Sequence, residues 1–428
     1  MSRLYDRVFQ SIAPSALDFT TGYRAWYDEL CHSQFLPREE LVERQMERLR
    51  ELGKYAFRSV PLFRKLGGTA DFGDPAKLPV MTKTILRKHR SEAFADSGAF
   101  RFGHRIVTSG STGEPLEFWI DRRSRGLRLA SRYLFDHWIG INFGARCSRI
   151  IAMPSRLSRL YANEQQIRFS EVRSRTAPSV LRKILRFRPE GLMGHPSSLF
   201  LLAEAKLKAM ASDASPIVSA VTSAETLVDS TRDTIRDAFG CPVYNRYGLR
   251  ELSGYIAQEC QARGGLHVNM EHVFLEIVDD GGPVPNGTPG RIIVTDLYNH
   301  VMPLIRYDTG DIGILSRRQC PCGITWPLLE SIQGRECDYV VLKDGSQFPL
   351  SNFAGNFLRS FLRSVAQVQF VQKRDGCLLV RIVPRLELSS DDVHRMRRYY
   401  SELLRTFDLE LVSETVAKSG KRPLLIRE

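Results

Sequence analysis

The chemistry-bearing residues of this chain begin at Thr108-Ser109-Gly110-Ser111-Thr112-Gly113-Glu114-Pro115, directly after the apolar Ile106-Val107. Gly110 and Gly113 let the backbone turn sharply and approach a ligand closely. Successive backbone N–H groups in such a loop form an anion-binding concavity, and Ser109, Ser111 and Thr112 add hydroxyl donors. No lysine follows the second glycine, so the loop does not satisfy the nucleotide P-loop pattern. A plain flexible surface loop has the same composition.

Four further stretches follow downstream: Tyr247-Gly248-Leu249-Arg250-Glu251, Tyr307-Asp308-Thr309-Gly310-Asp311, Gly334-Arg335 and Ser419-Gly420-Lys421. Taken singly, each is ordinary. A tyrosine before a glycine usually packs, an aspartate in a turn usually caps its own backbone, and a C-terminal lysine is usually solvated.

Cys260 and His267, followed by Cys320-Pro321-Cys322-Gly323, form a second constellation. Two thiolates one residue apart can share an ion when a tight turn aims both inward, and Cys₃His is a closed tetrahedral zinc set. The spacing is not that of a standard finger. The alternative is two buried thiols beside an unrelated turn. The other five cysteines stand isolated, and so thin a distribution argues against a disulfide framework.

These residues need a scaffold. With 428 residues the chain is too long for one ordinary core. At 43% hydrophobic and 25% charged residues it is globular, with no apolar run long enough to span a membrane. Its N-terminus lacks a signal-peptide core, so a cytoplasmic location is expected. The net charge is +13, and between Arg146 and Arg188 eleven Lys/Arg face two acids, Glu164 and Glu171. That stretch suits an anionic cofactor, an acidic protein or nucleic acid, or is simply a solvated face. No finger spacing and no RNA-binding aromatic signature point to nucleic acid.

The first hundred residues read as helical, with Val42, Met46, Leu49 and Leu52 on one face of a helix ending near Gly53. From residue 105 strands alternate with helices, which implies a mostly parallel sheet. Strands at Val273–Val278, Arg291–Thr295 and Ile312–Leu315 are joined by Gly/Pro/Asn turns and read as antiparallel. Beyond Gly334 a strand, a helix from Leu350, a hairpin around Arg374-Asp375-Gly376 and an amphipathic helix over Asp391–Leu404, with Val393, Met396, Leu403 and Phe407 on its buried side, make a small α+β unit. The expected domains are 1–333, α/β with an added antiparallel β portion, and 334–428, a small α+β lid.

In order and spacing, the motifs resemble those of the adenylate-forming superfamily of acyl-CoA synthetases, adenylation domains and luciferases. The likeness is greatest to phenylacetate–CoA ligases and their capsular-polysaccharide-biosynthesis relatives, and it runs from about residue 40 to the end. The resemblance implies roles. Ser109, Gly110, Ser111, Thr112 and Gly113 would wrap the terminal phosphates of ATP, while Ala224 and Glu225, in Ser223-Ala224-Glu225, would line the adenine. Tyr247 would stack on the adenine, Glu251 would hold Mg²⁺, and Asp311 and Arg335 would serve the ribose. Asp338 would be the interdomain hinge and Lys421 the catalytic lysine, while His195, before Pro196, would face the acid substrate. Arg250 departs from the Thr or Ser common before the glutamate. Capsular-type relatives also show a pattern similar to the Cys260/His267/Cys320/Cys322 set, which supports a structural zinc.

The expected activity is therefore ATP- and Mg²⁺-dependent conversion of an aromatic carboxylic acid to its acyl-adenylate, then transfer to CoA. Lys421 and Mg²⁺ would supply the positive charge that brings two anions together. One rival reading passes the acyl group to an amine, a sugar or a carrier-protein thiol. A rival of another class is a zinc-containing nucleic-acid or anion-binding protein. A homodimer is common in this branch.

Overall fold

The computed structural model describes residues 18–19, 21–66, 74–96, 103–107, 116–151, 154, 162–173, 175–209, 216–252, 254–280, 282–335, 339–341, 347–349, 361, 364–373, 377–384, 387–404, 407–413 and 425–427. The loop 108–115, Asp338, the body of the helix expected from Leu350, and Lys421 lie outside the described residues.

In chain order, the first segment holds helices α1 (Tyr23–Ser33), α2 (Arg38–Ser59) and α3 (Lys83–Lys88), strands β1 (Gly103–Val107) and β2 (Glu117–Asp121), and helix α4 (Arg125–Trp138). Next come β3 (Cys147–Ile151), β4 (Glu164–Arg168), α5 (Ala177–Phe187), β5 (Gly191–Gly194), α6 (Pro196–Lys208), β6 (Ser219–Thr222) and α7 (Asp229–Phe239). The third segment is all β: β7 (Val243–Leu249), β8 (Gly254–Glu259), β9 (Leu266–Val268), β10 (Val273–Asp279), β11 (Gly282–Pro283), β12 (Pro289–Asp296), β13 (Tyr307–Leu315) and β14 (Leu328–Arg335). The last contributes β15 (Tyr339–Val341), β16 (Gln347–Pro349), β17 (Val365–Gln372), β18 (Leu378–Pro384), α8 (Ser390–Leu403), β19 (Phe407–Leu411) and β20 (Leu425–Arg427).

The chain gathers into two compact units, one of residues 1–145 with 244–332, the other of 146–243 with 333–428. In the first, strands run in the order β11-β10-β12-β13-β14-β9-β8-β7, and every register described within it is antiparallel. In the second, β6-β5-β3-β4 are parallel, and a separate sheet has the order β19-β18-β17-β20. Both sheet characters follow the sequence pattern. Helices between strands allow parallel crossovers, whereas short turns permit only antiparallel neighbours.

Three expectations need correction. β1 joins no parallel sheet among the described residues; it pairs antiparallel with β2. The α2 helix runs through Gly53 to Ser59, where Val60 before Pro61 is extended, as a residue preceding proline prefers. Its buried face is Leu41, Gln45, Leu49, Leu52 and Ala56, while Val42 points outward. Gln45 belongs inside because its amide donates to the Met270 carbonyl at 3.0 Å and the Val273 carbonyl at 2.7 Å. Phe407, read as part of the helix's buried side, is instead in β19 and packs on the same core as Met396 of α8.

Candidate active site

Two motifs meet in the first unit. Alternation along β7 turns Arg246 to one side, where it pairs with Asp136 at 2.6 Å and lies over the Tyr255 ring at 4.7 Å, and Tyr247 to the other. The Tyr247 hydroxyl donates to Asp311 Oδ2 on β13 at 2.7 Å. Desolvation and the adjacent Asp311 carboxylate push the phenol well above its ordinary pKa, so it remains a donor at every physiological pH. Gly248 is required by close approach. A Cβ there would lie 2.8 Å from both the Gly254 carbonyl oxygen and the Tyr255 ring. Gly310, at φ +76°, supplies the left-handed turn within Tyr307–Asp311, and the Asp311 amide donates to Thr309 Oγ1 at 3.0 Å.

Glu251 sits in the 3₁₀ turn Arg250–Leu252 that follows β7, and it is buried. Its Oε1 accepts from the Tyr307 hydroxyl at 3.1 Å and lies 3.6 Å from the Lys83 ammonium. Sequence reasoning gave no role to Lys83 or to the Tyr307 hydroxyl. Lys83 is placed by a bridge between Met81 and Tyr307, in which Met81 N–H donates to Arg306 at 2.8 Å and Asp308 N–H donates to Met81 at 2.9 Å. Thr82 then caps α3, accepting from the Ile85 amide at 3.2 Å. One signal was present in the sequence: a lysine at the first position of a helix runs against the helix dipole, and such local violations tend to mark functional sites.

In the second unit, His195 precedes α6 and its Nδ1 lies 3.9 Å from Glu225 Oε1. The other Glu225 oxygen accepts from the Ser197 amide at 3.1 Å, so this carboxylate satisfies one free N–H of the α6 N-terminus. The His195 ring packs on Phe169 with centroids 5.3 Å apart. Ala224, next to Glu225 in the chain, is exposed and left-handed at φ +69°. That conformation is uncommon for a residue with a Cβ, and such strain concentrates at functional positions. Arg335 is described only as the last residue of β14.

Cys260 follows β8, His267 is on β9, and Cys320 and Cys322 occupy the turn between β13 and β14. Their four ligand atoms all lie within 4.8 Å of one another, with Cys260 Sγ 3.5 Å from Cys320 Sγ and Cys322 Sγ 3.3 Å from His267 Nε2. The other ring nitrogen, Nδ1, faces the Trp326 carbonyl at 3.3 Å, a partner that fixes the tautomer presenting Nε2. Burial lowers the His267 pKa to about 4 and raises the Cys260 thiol. A neutral imidazole and three convergent thiols make the donor chemistry of a tetrahedral zinc site, which this cluster fits.

A family model described as AMP-binding enzyme matches residues 161–303. The phenylacetate–coenzyme A ligase of Thermus thermophilus is 26% identical over 92% of this chain and 89% of its own. Protein CapK of Staphylococcus aureus is 22% identical over 84% of this chain and 82% of its own. A crystal structure of a 2-hydroxyisobutyryl-CoA ligase in the postadenylation state has the same fold, with a TM-score of 0.78 at 20% identity and coverage of 92% and 91%. The chain has the fold of the adenylate-forming CoA ligases. In sequence it is similar to phenylacetate–CoA ligases.

Proposed function

We propose that this protein is an AMP-forming acid–thiol ligase. In the first half-reaction a carboxylate oxygen attacks the α-phosphorus of ATP, the bond to the β-phosphate oxygen breaks, and pyrophosphate departs. In the second, the CoA sulfur attacks the acyl carbon, and AMP leaves with the electron pair of the C–O bond. The observation that carries the reading is the Tyr247–Asp311 hydrogen bond beside the Glu251–Tyr307–Lys83 cluster, with both motif tyrosines anchoring a motif carboxylate.

The roles follow from residue chemistry. Tyr247 presents a ring to the adenine while its hydroxyl orients Asp311, whose carboxylate has acceptor capacity left for ribose hydroxyls. Glu251, held at one oxygen by Tyr307 and Lys83, is a rigid carboxylate suited to Mg²⁺. Magnesium held there would offset the charge of the phosphates. Lys83 is a positive group beside that carboxylate, and Lys421 would be a second, delivered on a lid that can withdraw between half-reactions. His195, oriented by Glu225, would border the acid.

The Cys260/His267/Cys320/Cys322 cluster would hold a structural zinc with no open position, and so would not act in catalysis. Among the described residues, no helix is long and apolar enough to cross a membrane. A cytoplasmic setting, where thiols stay reduced and ATP and CoA are available, suits these parts.

An anionic acceptor is favoured by a specific feature of α5. Its apolar side, Val180, Leu181, Ile184 and Phe187, is buried, and Arg182, Lys183 and Arg186 are exposed on the other. CoA phosphates or an acidic carrier protein would complement that face. An aromatic acid remains the proposed substrate. The test is thioester detection by mass spectrometry. Product should form with ATP, acid and CoA together and be absent when CoA is replaced by an amine or sugar acceptor.

A further inference from the structure

Arg128 of α4 reaches no candidate ligand, yet it is almost wholly buried and its guanidinium is shared among several elements. Its Nε donates to the Leu252 carbonyl at 2.7 Å, the residue immediately after Glu251. One terminal nitrogen bonds Ser124 Oγ and lies 3.3 Å from the Asp121 carbonyl, at the end of β2. The other pairs with Asp296 Oδ2 on β12 at 2.8 Å. Asp296 is fully buried; its Oδ1 accepts from the Tyr298 amide at 3.0 Å and lies 3.6 Å from His272 Nε2. The assembly packs against the backbone just beyond the turn, since a Cβ on Gly254 would sit 3.2 Å from His272 and 3.8 Å from Arg128.

A buried ion pair is weak evidence of stability, because desolvation consumes most of the attraction. This pair does something a hydrophobic replacement could not. It aims a charged donor at one carbonyl of the short turn that carries Glu251, a turn of only three residues. It also joins that turn to the strand following the glycine- and hydroxyl-rich loop. Residues that fix a metal-binding carboxylate from behind are worth tenfold to a hundredfold in metal affinity.

The geometry points to Arg128, set by Asp296, as a positioning residue that holds the Glu251 turn in register for Mg²⁺-ATP. This rests on the proposed reading of Glu251 as the magnesium carboxylate. The substitutions are Arg128→Lys, which keeps the charge but cannot serve Leu252, Ser124 and Asp296 together, and Asp296→Asn. Two readouts are taken on the full-length protein: amide hydrogen exchange across Arg250–Leu252 without ligands, and the Mg²⁺ concentration giving half-maximal pyrophosphate exchange. Faster exchange in the turn and a half-maximal Mg²⁺ concentration raised by about tenfold, with an unchanged KM for the acid, are expected. Unchanged turn exchange or an unchanged Mg²⁺ requirement in a folded variant overturns the proposal, as does loss of fold in both variants. Glu251→Gln separates the two claims. If it leaves the Mg²⁺ requirement alone, the metal role of Glu251 fails, whereas the turn's hydrogen exchange still judges the clamp.

Discussion

The Tyr247 hydroxyl donates to Asp311 Oδ2 at 2.7 Å, joining residues 64 positions apart in sequence on β7 and β13. The stacking ring and the ribose carboxylate of the proposed nucleotide site are therefore one unit, and disturbing either should disturb both. Tyr247→Phe keeps the ring and removes the bond. The KM for ATP should rise by about tenfold, the worth of one hydrogen bond to a charged group, with the KM for the acid unchanged. A double mutant with Asp311→Asn should cost less than the sum of the singles, because the partners share one interaction.

Glu251→Gln keeps the shape and the Tyr307 contact but removes the charge facing Lys83. Steady-state pyrophosphate exchange should fall by about a hundredfold or more, and extra Mg²⁺ should restore only part of it. Lys83→Met should also slow the exchange, by about tenfold, if its ammonium contributes to the phosphate end of the site.

Much of this was legible in the sequence, and the reasons it stopped are physical. Parallel and antiparallel regions separate cleanly because intervening helices and tight turns leave different patterns, and the Tyr247, Glu251 and Asp311 motifs are local in sequence. The strands β2, β8, β9 and β14 were not read, since they carry charged or polar residues such as Glu117, Gln258, His267 and Glu330 that obscure alternation. The site roles of Lys83 and Arg128 lie in contacts far along the chain, 168 positions from Lys83 to Glu251 and 124 from Arg128 to Leu252, which local sequence pattern does not display. The Cys260/His267/Cys320/Cys322 set is marked in the sequence by residue type, by the Cys320-Pro321-Cys322-Gly323 turn and by the resemblance to capsular-type relatives, though only the fold brings its four ligand atoms within 4.8 Å.

Zinc content follows from that cluster. Purified protein should contain about one zinc per chain by mass spectrometry of metals, and Cys320→Ser should abolish it. Removal by a chelator should lower the unfolding midpoint by at least about 5 °C, because binding energy at a structural site is folding energy. A folded, active preparation free of zinc would contradict the assignment.

Asp296 sets an acid limit on stability. Its burial would raise its pKa, but the Arg128 charge and His272 outweigh that and hold it at about 2, below the ordinary 3.8. A carboxyl whose folded pKa is depressed contributes stability that is full above the unfolded value and is lost as pH falls through the folded one. About 2 kcal/mol should therefore vanish between about pH 4 and pH 2. Urea unfolding across that range should show a shallower acid limb in Asp296→Asn than in the natural protein.

The most direct test is isotope exchange of pyrophosphate into ATP, with and without each of a panel of aromatic and aliphatic carboxylic acids. Exchange should appear with Mg²⁺ and a preferred acid, require no CoA, and be lost in Lys421→Ala. No acid-stimulated exchange with any of them, beside salt-sensitive binding of DNA or RNA, would contradict the account and favour an anion-binding protein.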